Sequence, residues 1–181
     1  CDLGAESGRL ILGTLTEGRL ELEEIHRFPN GAVSREGSLC WDIDALTASI
    51  REGLAKVGRR GLPIESISTD SWGVDYVLVD RDGRILKPVY HYRDARCQRG
   101  LQRVHGCVSQ ETIFEETGIQ FMAINTLFQL ASEAPERLAG AGQLLMIADA
   151  FNFLLSGVAR VEVSNASTSQ IYNPVTRTWS A

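Results

Sequence analysis

Several features that mark common classes of protein are scarce in this sequence. Its 18 Lys and Arg residues are outnumbered by 23 Asp and Glu residues, which gives a net charge of −5. The basic residues form no long stripe, so we expect no nucleic-acid partner. Apolar runs stay well short of a membrane span, and no secretory signal is visible. We therefore expect no membrane partner and predict a cytoplasmic location.

Cysteine and histidine are also few and scattered. The four cysteines, Cys1, Cys40, Cys97 and Cys107, have no CxxC spacing, and the three histidines stand apart from them. This pattern argues against a zinc site. We predict free or partly buried thiols in a reducing compartment, with a Cys97–Cys107 disulfide as the alternative.

The composition, 44% hydrophobic and 23% charged, is that of a globular protein. A chain of 181 residues can bury one good core, so we treat residues 1–181 as a single domain. The sequence opens on Cys1 without an initiator Met, and no strand precedes its first motif. We therefore expect this domain to be a piece of a larger protein.

The most informative segment is the opening loop, Asp2-Leu3-Gly4-Ala5-Glu6-Ser7-Gly8-Arg9, which runs into the alternating segment Leu10–Leu15. An Asp at a strand end, a glycine-rich turn and a second strand together can form a phosphate-binding hairpin. Glycine allows backbone amides to approach a phosphate closely. A carboxylate beside a phosphate requires a cation between them, so Asp2 suggests Mg²⁺. The alternative is an ordinary hairpin in which Asp2 caps the turn.

Periodicity predicts a mixed α/β domain with an antiparallel edge added to parallel crossovers. Strands are expected over Leu10–Leu15, Leu20–Phe28, Ile64–Thr69, Val77–Asp80 and Leu144–Ile147. Helices are expected from a cap at Asp42 or Asp44 to a stop at Gly61, over Ser109–Thr117, from Asn125 to a stop at Pro135, and over about Asp149–Ser156. Segments 29–31 and 35–37 mark a loop.

A second group of polar residues, Asp70-Ser71-Trp72-Gly73-Val74-Asp75, follows the predicted strand Ile64–Thr69. Sites in α/β sheets lie beyond the carboxyl ends of strands. Trp72 offers a flat apolar face and an indole donor, both of which suit a sugar ring. Gly73 lets the backbone approach a ligand, and Asp70 and Asp75 can accept sugar hydroxyls. The alternative is a buried Trp flanked by solvated aspartates.

Further candidates lie downstream. Arg93 and Asp94 are adjacent and must point in different directions, so one can reach a ligand while the other anchors its loop; a solvated charge cluster is the alternative. Asp149 is expected to cap a helix or to line a cleft. The polar segment 165–170 is expected to be a turn-like surface loop or a cleft wall.

Taken together, these motifs resemble the FGGY carbohydrate kinases, and the resemblance runs in order along nearly the whole chain. The order of elements likewise resembles the ribonuclease H-like domain of the actin-like ATPase superfamily, in which the opening hairpin is a phosphate loop. The segments that carry the resemblance are residues 2–9, 25–28, 41–44, 70–75, 92–94, 117–121, 125–127 and 164–168.

The resemblance implies roles for particular residues. Ala5, Glu6, Ser7, Gly8 and Arg9 would touch the ATP phosphates, with Asp2 near the metal. Many members have Thr where Ala5 stands, and Glu6 must point outward or approach the metal. Gly73 would contact the sugar. Trp72, Asp75 and Arg93, which are candidates from their own chemistry, are assigned to the same substrate site. The family's catalytic Asp and adenine pocket belong to segments beyond Ala181, so no catalytic residue is assigned here.

The implied reaction transfers the γ-phosphoryl group of ATP to the 1-hydroxyl of L-rhamnulose, with Mg²⁺ as the metal. The alternatives are a kinase of L-fuculose or D-xylulose, and an actin-like ATPase or sugar-binding regulator without phosphotransfer. We expect this chain alone to be inactive. The resemblance leaves a homo-oligomer open.

Overall fold

The computed structural model of the protein describes residues 1–180. Its strands are β1 (Asp2–Leu3), β2 (Ser7–Thr16), β3 (Arg19–Pro29), β4 (Val33–Arg35), β5 (Ser38–Trp41), β6 (Asp70–Ser71), β7 (Tyr76–Val79), β8 (Ile85–Leu86), β9 (Val89–Tyr90), β10 (Gln143–Met146), β11 (Tyr172–Asn173) and β12 (Thr178–Trp179). Its helices are α1 (Ile43–Gly58), α2 (Arg96–His105), α3 (Gln110–Thr117), α4 (Thr126–Leu130), α5 (Pro135–Gly140), α6 (Ile147–Ser156) and α7 (Val163–Thr168).

The sheet that matters for the site has the strand order β3-β2-β1-β6. The β1–β2 and β2–β3 pairs are antiparallel, whereas β1 and β6 run parallel. The predicted mixed sheet is therefore confirmed. Smaller sheets have the orders β10-β7-β8, β4-β5-β9 and β11-β12.

One apolar core joins the first sheet to α1, β7, β10 and α6. The helix α1 packs across β2 and β3, where Gly53 lies against the Leu10 side chain. Asp42 caps this helix by accepting from the Ala45 amide at 3.0 Å, as the sequence predicted. The buried core side chains are Leu3, Leu10, Phe28, Trp41, Ile43, Leu46, Ile50, Val77, Val79, Val89, Leu145, Ile147, Ala150 and Phe151.

The predicted strand Ile64–Thr69 is wrong. Residues 61–68 are exposed and adopt no regular structure, and the strand in this region is the two-residue β6. The Cys1 ammonium donates to the Ser68 carbonyl at 2.8 Å beside the β1–β6 pair. The apolar side chains of Ile64 and Ile67 suggest a buried strand, but both are exposed.

The predicted helix from Asn125 to Pro135 is also corrected. The helix α4 ends at Leu130, and Pro135 begins α5 instead of ending a helix. Proline suits a first helical turn because its missing N–H is not needed there. The Asn125 side chain does not cap α4; its amide donates to the Gln120 carbonyl and to Gln170 Oε1, each at 2.8 Å.

Two segments expected to be loops carry regular structure. Residues 35–37 form the turn of a β4–β5 hairpin, with Glu36 and Gly37 both at positive φ. The polar segment 165–170 lies largely in α7, whose first turn is capped by the Glu162 carboxylate. The hydroxyls of Ser167 and Thr168 donate to carbonyls three residues earlier, which absorbs these polar side chains into the helix.

Helix α2 had no counterpart in the sequence prediction. Because its ten residues include four Arg or His side chains, no long apolar pattern marks it. None of the helices in residues 1–180 is both long enough and apolar enough to cross a membrane.

Candidate functional site

The opening loop is a short connection between β1 and β2 that is braced from outside. Within it the Gly4 amide donates to the Ser7 carbonyl at 2.9 Å. Asn30, just after β3, holds both sides of the loop: its amide donates to the Glu6 carbonyl at 3.0 Å and its side chain to the Gly4 carbonyl at 2.8 Å. Sequence reasoning missed Asn30, since nothing local connects it to a loop 26 residues away.

This bracing leaves binding groups available at the loop tip. Glu6 is exposed, in agreement with the expectation that its carboxylate points outward. In residues 1–180 the backbone amides of Ala5 and Glu6 donate to no protein acceptor. Adjacent unpaired amides in a turn form a concave donor surface suited to an anion such as phosphate.

Gly8 has a packing role at the base of the loop. It is buried, and a Cβ built there would overlap the ring of Phe28 on the neighbouring strand. The register places Gly8 opposite both Leu3 and Phe28, which are core residues. Gly8 therefore lets the loop-bearing strands close over the core.

Charged side chains form a row across the same sheet. The register pairs Asp70 with Asp2, Asp2 with Arg9, and Arg9 with Arg27, so these four residues share one face. Asp2 and Arg9 form an ion pair that is about two-fifths exposed on each side. The row thus offers a carboxylate and a guanidinium together beside the loop.

The second motif emerges beside the first. Because β1 and β6 are parallel, with Leu3 paired to Ser71, the loops after both strands leave the sheet at the same edge. Ala5 and Trp72 are both partly buried and pack against the same core. The structure therefore brings together the two motifs that the sequence separates by some 65 residues.

The turn after Trp72 is held in a strained conformation. The Asp75 amide donates to the Gly73 carbonyl at 2.9 Å, and the central residue Val74 has φ of 66°. A β-branched residue rarely adopts positive φ, and such strain collects at functional sites. The Val74 carbonyl is fixed by the Thr126 hydroxyl at 2.7 Å and by Gln129 Nε2 at 3.2 Å, two contributors from α4 that sequence reasoning missed.

Asp75 lies under this turn and not on its surface. Its side chain is fully buried, and its Oδ2 accepts from Trp41 Nε1 at 2.5 Å and from Trp72 Nε1 at 2.9 Å. Its Oδ1 accepts from Gln129 Nε2 at 2.8 Å. Burial raises the pKa of Asp75 to about 6, against the lowering effect of these hydrogen bonds. A direct bond from Asp75 to a ligand would require these donors to move.

An aromatic cluster surrounds this carboxylate. The Trp41 ring lies 4.1 Å from the rings of both Trp72 and His91, and Tyr92 lies 4.4 Å from His91. Burial lowers the pKa of His91, which favours the neutral ring, and its Nδ1 accepts from the Arg93 amide at 3.0 Å. The cluster therefore presents a rigid, uncharged wall behind Trp72.

Arg93 and Asp94 divide as the sequence predicted. Asp94 is buried and anchors its loop by accepting from the Leu39 amide at 2.6 Å and the Arg96 amide at 2.8 Å. Arg93 is exposed, with its guanidinium 5.3 Å from the centre of the Tyr92 ring. Arg93 is thus free to reach a ligand at the edge of the aromatic cluster.

The remaining candidates have simpler positions. Asp149 is buried, and its carboxylate accepts from the Glu162 amide at 3.2 Å, so it secures the segment before α7. Asp70 is exposed beside Asp2. The C-terminal end of α7 lies near Gly73, with Thr168 Oγ1 3.8 Å from where a Cβ of Gly73 would stand. Within segment 165–170, Thr168 is therefore the residue that lies beside Gly73.

Two hollows, of about 570 and 430 Å³, lie away from the two motifs: one beside β10 and α7, the other between β5, the start of α1 and β9. Neither is lined by residues of the opening loop or by Trp72–Asp75. All four cysteines are free thiols, which excludes the Cys97–Cys107 disulfide in this structure.

Residues 1–181 match the family model described as the FGGY family of carbohydrate kinases, N-terminal domain. The chain therefore belongs to the FGGY carbohydrate kinases and is their N-terminal domain. It is 43% identical to a rhamnulokinase of Mannheimia succiniciproducens over 183 residues, covering 98% of this chain and 38% of the relative. It is 41% identical to a rhamnulokinase of Bacillus subtilis over 172 residues, covering 95% of this chain and 36% of the relative. The chain thus spans little more than a third of these relatives.

Solved structures share its fold. A carbohydrate kinase from Novosphingobium aromaticivorans superposes with a TM-score of 0.84 at 21% identity, covering 99% of this chain and 38% of that one. A ligand-bound xylulose kinase from Lactobacillus acidophilus superposes with a TM-score of 0.82 at 17% identity, covering 98% of this chain and 37% of that one. The predicted ribonuclease H-like, actin-like ATPase fold is confirmed by these neighbours.

Proposed function

We propose that the full-length protein is a rhamnulokinase, which transfers the γ-phosphoryl group of ATP to the 1-hydroxyl of L-rhamnulose. The observation that carries this proposal is the parallel β1–β6 pair, which sets the opening loop and the Trp72–Gly73 turn side by side at one edge of the sheet. A phosphate loop beside an aromatic wall suits a reaction in which ATP gives up its γ-phosphoryl group to a sugar hydroxyl and leaves as ADP. The identity of 41–45% to rhamnulokinases supports L-rhamnulose as the sugar.

In this proposal the opening loop binds the phosphates of ATP. The unpaired amides of Ala5 and Glu6 point at phosphate oxygens, and Arg9 adds positive charge from the adjacent strand. Ser7 and Gly8 continue the loop into β2. Phosphoryl transfer depends mostly on positioning and charge neutralisation, which rigid amides provide without reorganisation.

Asp2 fits a role at a magnesium ion. Residues 1–180 contain no cluster of three or more potential ligands, which excludes a dedicated protein cage in that part of the chain. Mg²⁺ at nucleotide sites usually takes only one or two carboxylates, the rest being water and phosphate oxygens. Asp2, with Asp70 beside it on the same face, matches that donor set. Bound Mg²⁺ would neutralise phosphate charge during transfer.

The sugar lies, in this proposal, against Trp72 and the backbone of Gly73, with Arg93 reaching its hydroxyls. Trp72 offers its ring face, since its indole N–H is already engaged by Asp75. Gly73 is exposed and has open space beside it. The family resemblance implies a catalytic carboxylate beyond Ala181, so we expect that residues 1–181 alone do not phosphorylate sugar.

We also propose that the protein works in the cytoplasm, which agrees with its four free thiols. A homo-oligomer stays a prediction.

The test of function is a substrate panel on the full-length protein. L-rhamnulose, L-fuculose and D-xylulose are each supplied with ATP and Mg²⁺, and phosphorylated product is identified by mass and by the position of the phosphate. We expect the largest kcat/KM for L-rhamnulose, with phosphate on O1. A preference for another ketose would leave the kinase class standing and refute the substrate, whereas ATP hydrolysis without sugar phosphate would refute the kinase.

A further inference from the structure

A single buried carboxylate connects three separate parts of the chain beneath the proposed sugar wall. Asp75 has no exposed surface, and its oxygens accept from two indoles and one amide. Trp41 comes from the end of β5, Trp72 from the loop after β6, and Gln129 from α4. The carboxylate is therefore the common acceptor for groups that are distant in sequence.

Each of the three donors forms or supports part of the surface that we propose binds the sugar. Trp72 is the proposed sugar platform itself, and the Asp75 bond fixes the direction of its ring. Trp41 supports that ring from behind, at 4.1 Å. Gln129 donates not only to Asp75 but also to the Val74 and Ile124 carbonyls, at 3.2 and 2.8 Å, so it fastens the strained turn to α4.

We propose that Asp75 is a positioning residue for the sugar wall, which orients Trp72 directly and the Gly73–Val74 turn through Gln129 without touching the ligand. This inference rests on the proposed function, because it takes Trp72 and Gly73 as the sugar contacts. It explains why a carboxylate is buried at this position: the N–H groups of Trp41, Trp72 and Gln129 converge there and need an acceptor with two oxygens. It also explains how Val74 is kept at positive φ.

The substitution Asp75→Asn is the sharpest test, since it keeps the shape and replaces one oxygen with a donor. If the remaining oxygen faces the indoles, the new NH₂ group faces Gln129 Nε2, which is also a donor. If Gln129 turns over to accept, its oxygen then faces the Val74 and Ile124 carbonyls that its amide now binds. Every arrangement of Asn therefore breaks at least one link.

In the full-length protein, Asp75→Asn should raise the KM for the best ketose substrate by about tenfold or more, since small misplacements of binding groups are costly. The KM for ATP should stay within about twofold, because Asp75 makes no contact with the opening loop. The matched control is Asp80→Asn at the other end of β7, where the Asp80 side chain accepts from the Asp82 and Arg84 amides in an exposed turn. This control should leave both KM values unchanged.

A second readout does not depend on sugar. Indole N–H resonances of the full-length protein, labelled with ¹⁵N at tryptophan and assigned with Trp41→Phe and Trp72→Phe, should both move in Asp75→Asn. Indole signals that stay in place, or a sugar KM that stays unchanged while they move, would overturn the positioning role. If Asp75→Asn fails to fold, Trp72→Phe decides: it keeps a ring but loses the N–H, so an unchanged sugar KM would refute the inference. A wild-type protein that phosphorylates no ketose would instead refute the proposed function.

Discussion

Gly73→Ala separates a ligand contact from a structural role more cleanly than any other change in this wall. A Cβ at Gly73 would meet only Thr168 Oγ1, at 3.8 Å, which is ordinary van der Waals contact. The backbone of Gly73 lies outside the left-handed region, so alanine can adopt it without strain. We therefore expect the variant to fold as well as the wild type, or to gain about 0.4–1 kcal/mol from a less flexible unfolded chain.

On the ligand side the same methyl group should be costly. If the sugar approaches the Gly73 backbone, the methyl occupies space that the sugar needs, and forced overpacking costs about 1–3 kcal/mol. That range corresponds to a rise in the sugar KM of about 5- to 150-fold. The KM for ATP should stay constant, because the opening loop lies on the neighbouring strand end and keeps its own bracing by Asn30.

The assay is steady-state kinetics on the full-length protein, with each substrate varied at saturating concentration of the other, alongside thermal melts. Gly58→Ala, at the end of α1 with no atom within 4 Å of the new Cβ, is the matched control and should change neither KM. An unchanged sugar KM in a normally folded Gly73→Ala protein would place the sugar elsewhere and refute this reading of the wall.

Three further predictions concern the loop, the buried carboxylate and the chain alone. Asp2→Asn should lower kcat strongly and raise the Mg²⁺ requirement, while Tm changes little because the half-exposed Asp2–Arg9 pair is worth at most about 1 kcal/mol. The control is Glu23→Gln, which breaks the exposed Glu23–Arg60 pair. A normal kcat with a lowered Tm in Asp2→Asn would contradict a role for Asp2 at the metal. The pKa of Asp75 rises from 3.8 to about 6 on folding. Between these two pH values the folded chain therefore keeps a proton on Asp75 that the unfolded chain releases. Wild-type stability relative to Asp75→Asn should therefore fall by up to about 3 kcal/mol (roughly 2 pKa units at 1.36 kcal/mol each) as pH rises from about 4 to 7, and a flat difference in urea unfolding would contradict it. Residues 1–181 alone should bind L-rhamnulose weakly and form no sugar phosphate, since one wall leaves the hydroxyls exposed to water; micromolar affinity in calorimetry would contradict this.

Elements with strong local signals could be predicted from the sequence. The β2–β3 hairpin shows alternation and a Glu17-Gly18 turn at positive φ, and α3 has both a Ser109 cap and a left-handed Gly118. These features depend on residues within a few positions of one another. At Ile64–Thr69 the local pattern misleads, because an apolar run predicts burial, whereas Ile64 and Ile67 are exposed.

The position of the candidate site in the fold could be predicted in part from the sequence. The rule that sites in α/β sheets lie beyond the carboxyl ends of strands indicated the second motif, and β1 and β6 bring it beside the opening loop. The hydrogen bonds beneath them were not predictable. Asp75 is joined to Trp41 across 34 positions and to Gln129 across 54, and no spacing in the sequence encodes those contacts.

In the glycine-rich opening loop, the glycine of the motif and the groups that are free to bind an anion are different residues. Glycine in such a loop suggests close approach of a phosphate. At Gly8, however, the Phe28 ring fills the space where a Cβ would stand. The groups left free for an anion are the amides of Ala5 and Glu6, and what holds them is Asn30, outside the motif. Gly8 thus allows the sheet to close over its core, and the closed sheet in turn fixes the loop. If the loop binds phosphate as we propose, Asn30 and Gly8 contribute by fixing the loop backbone, and the amides of Ala5 and Glu6 are the groups that contact the anion.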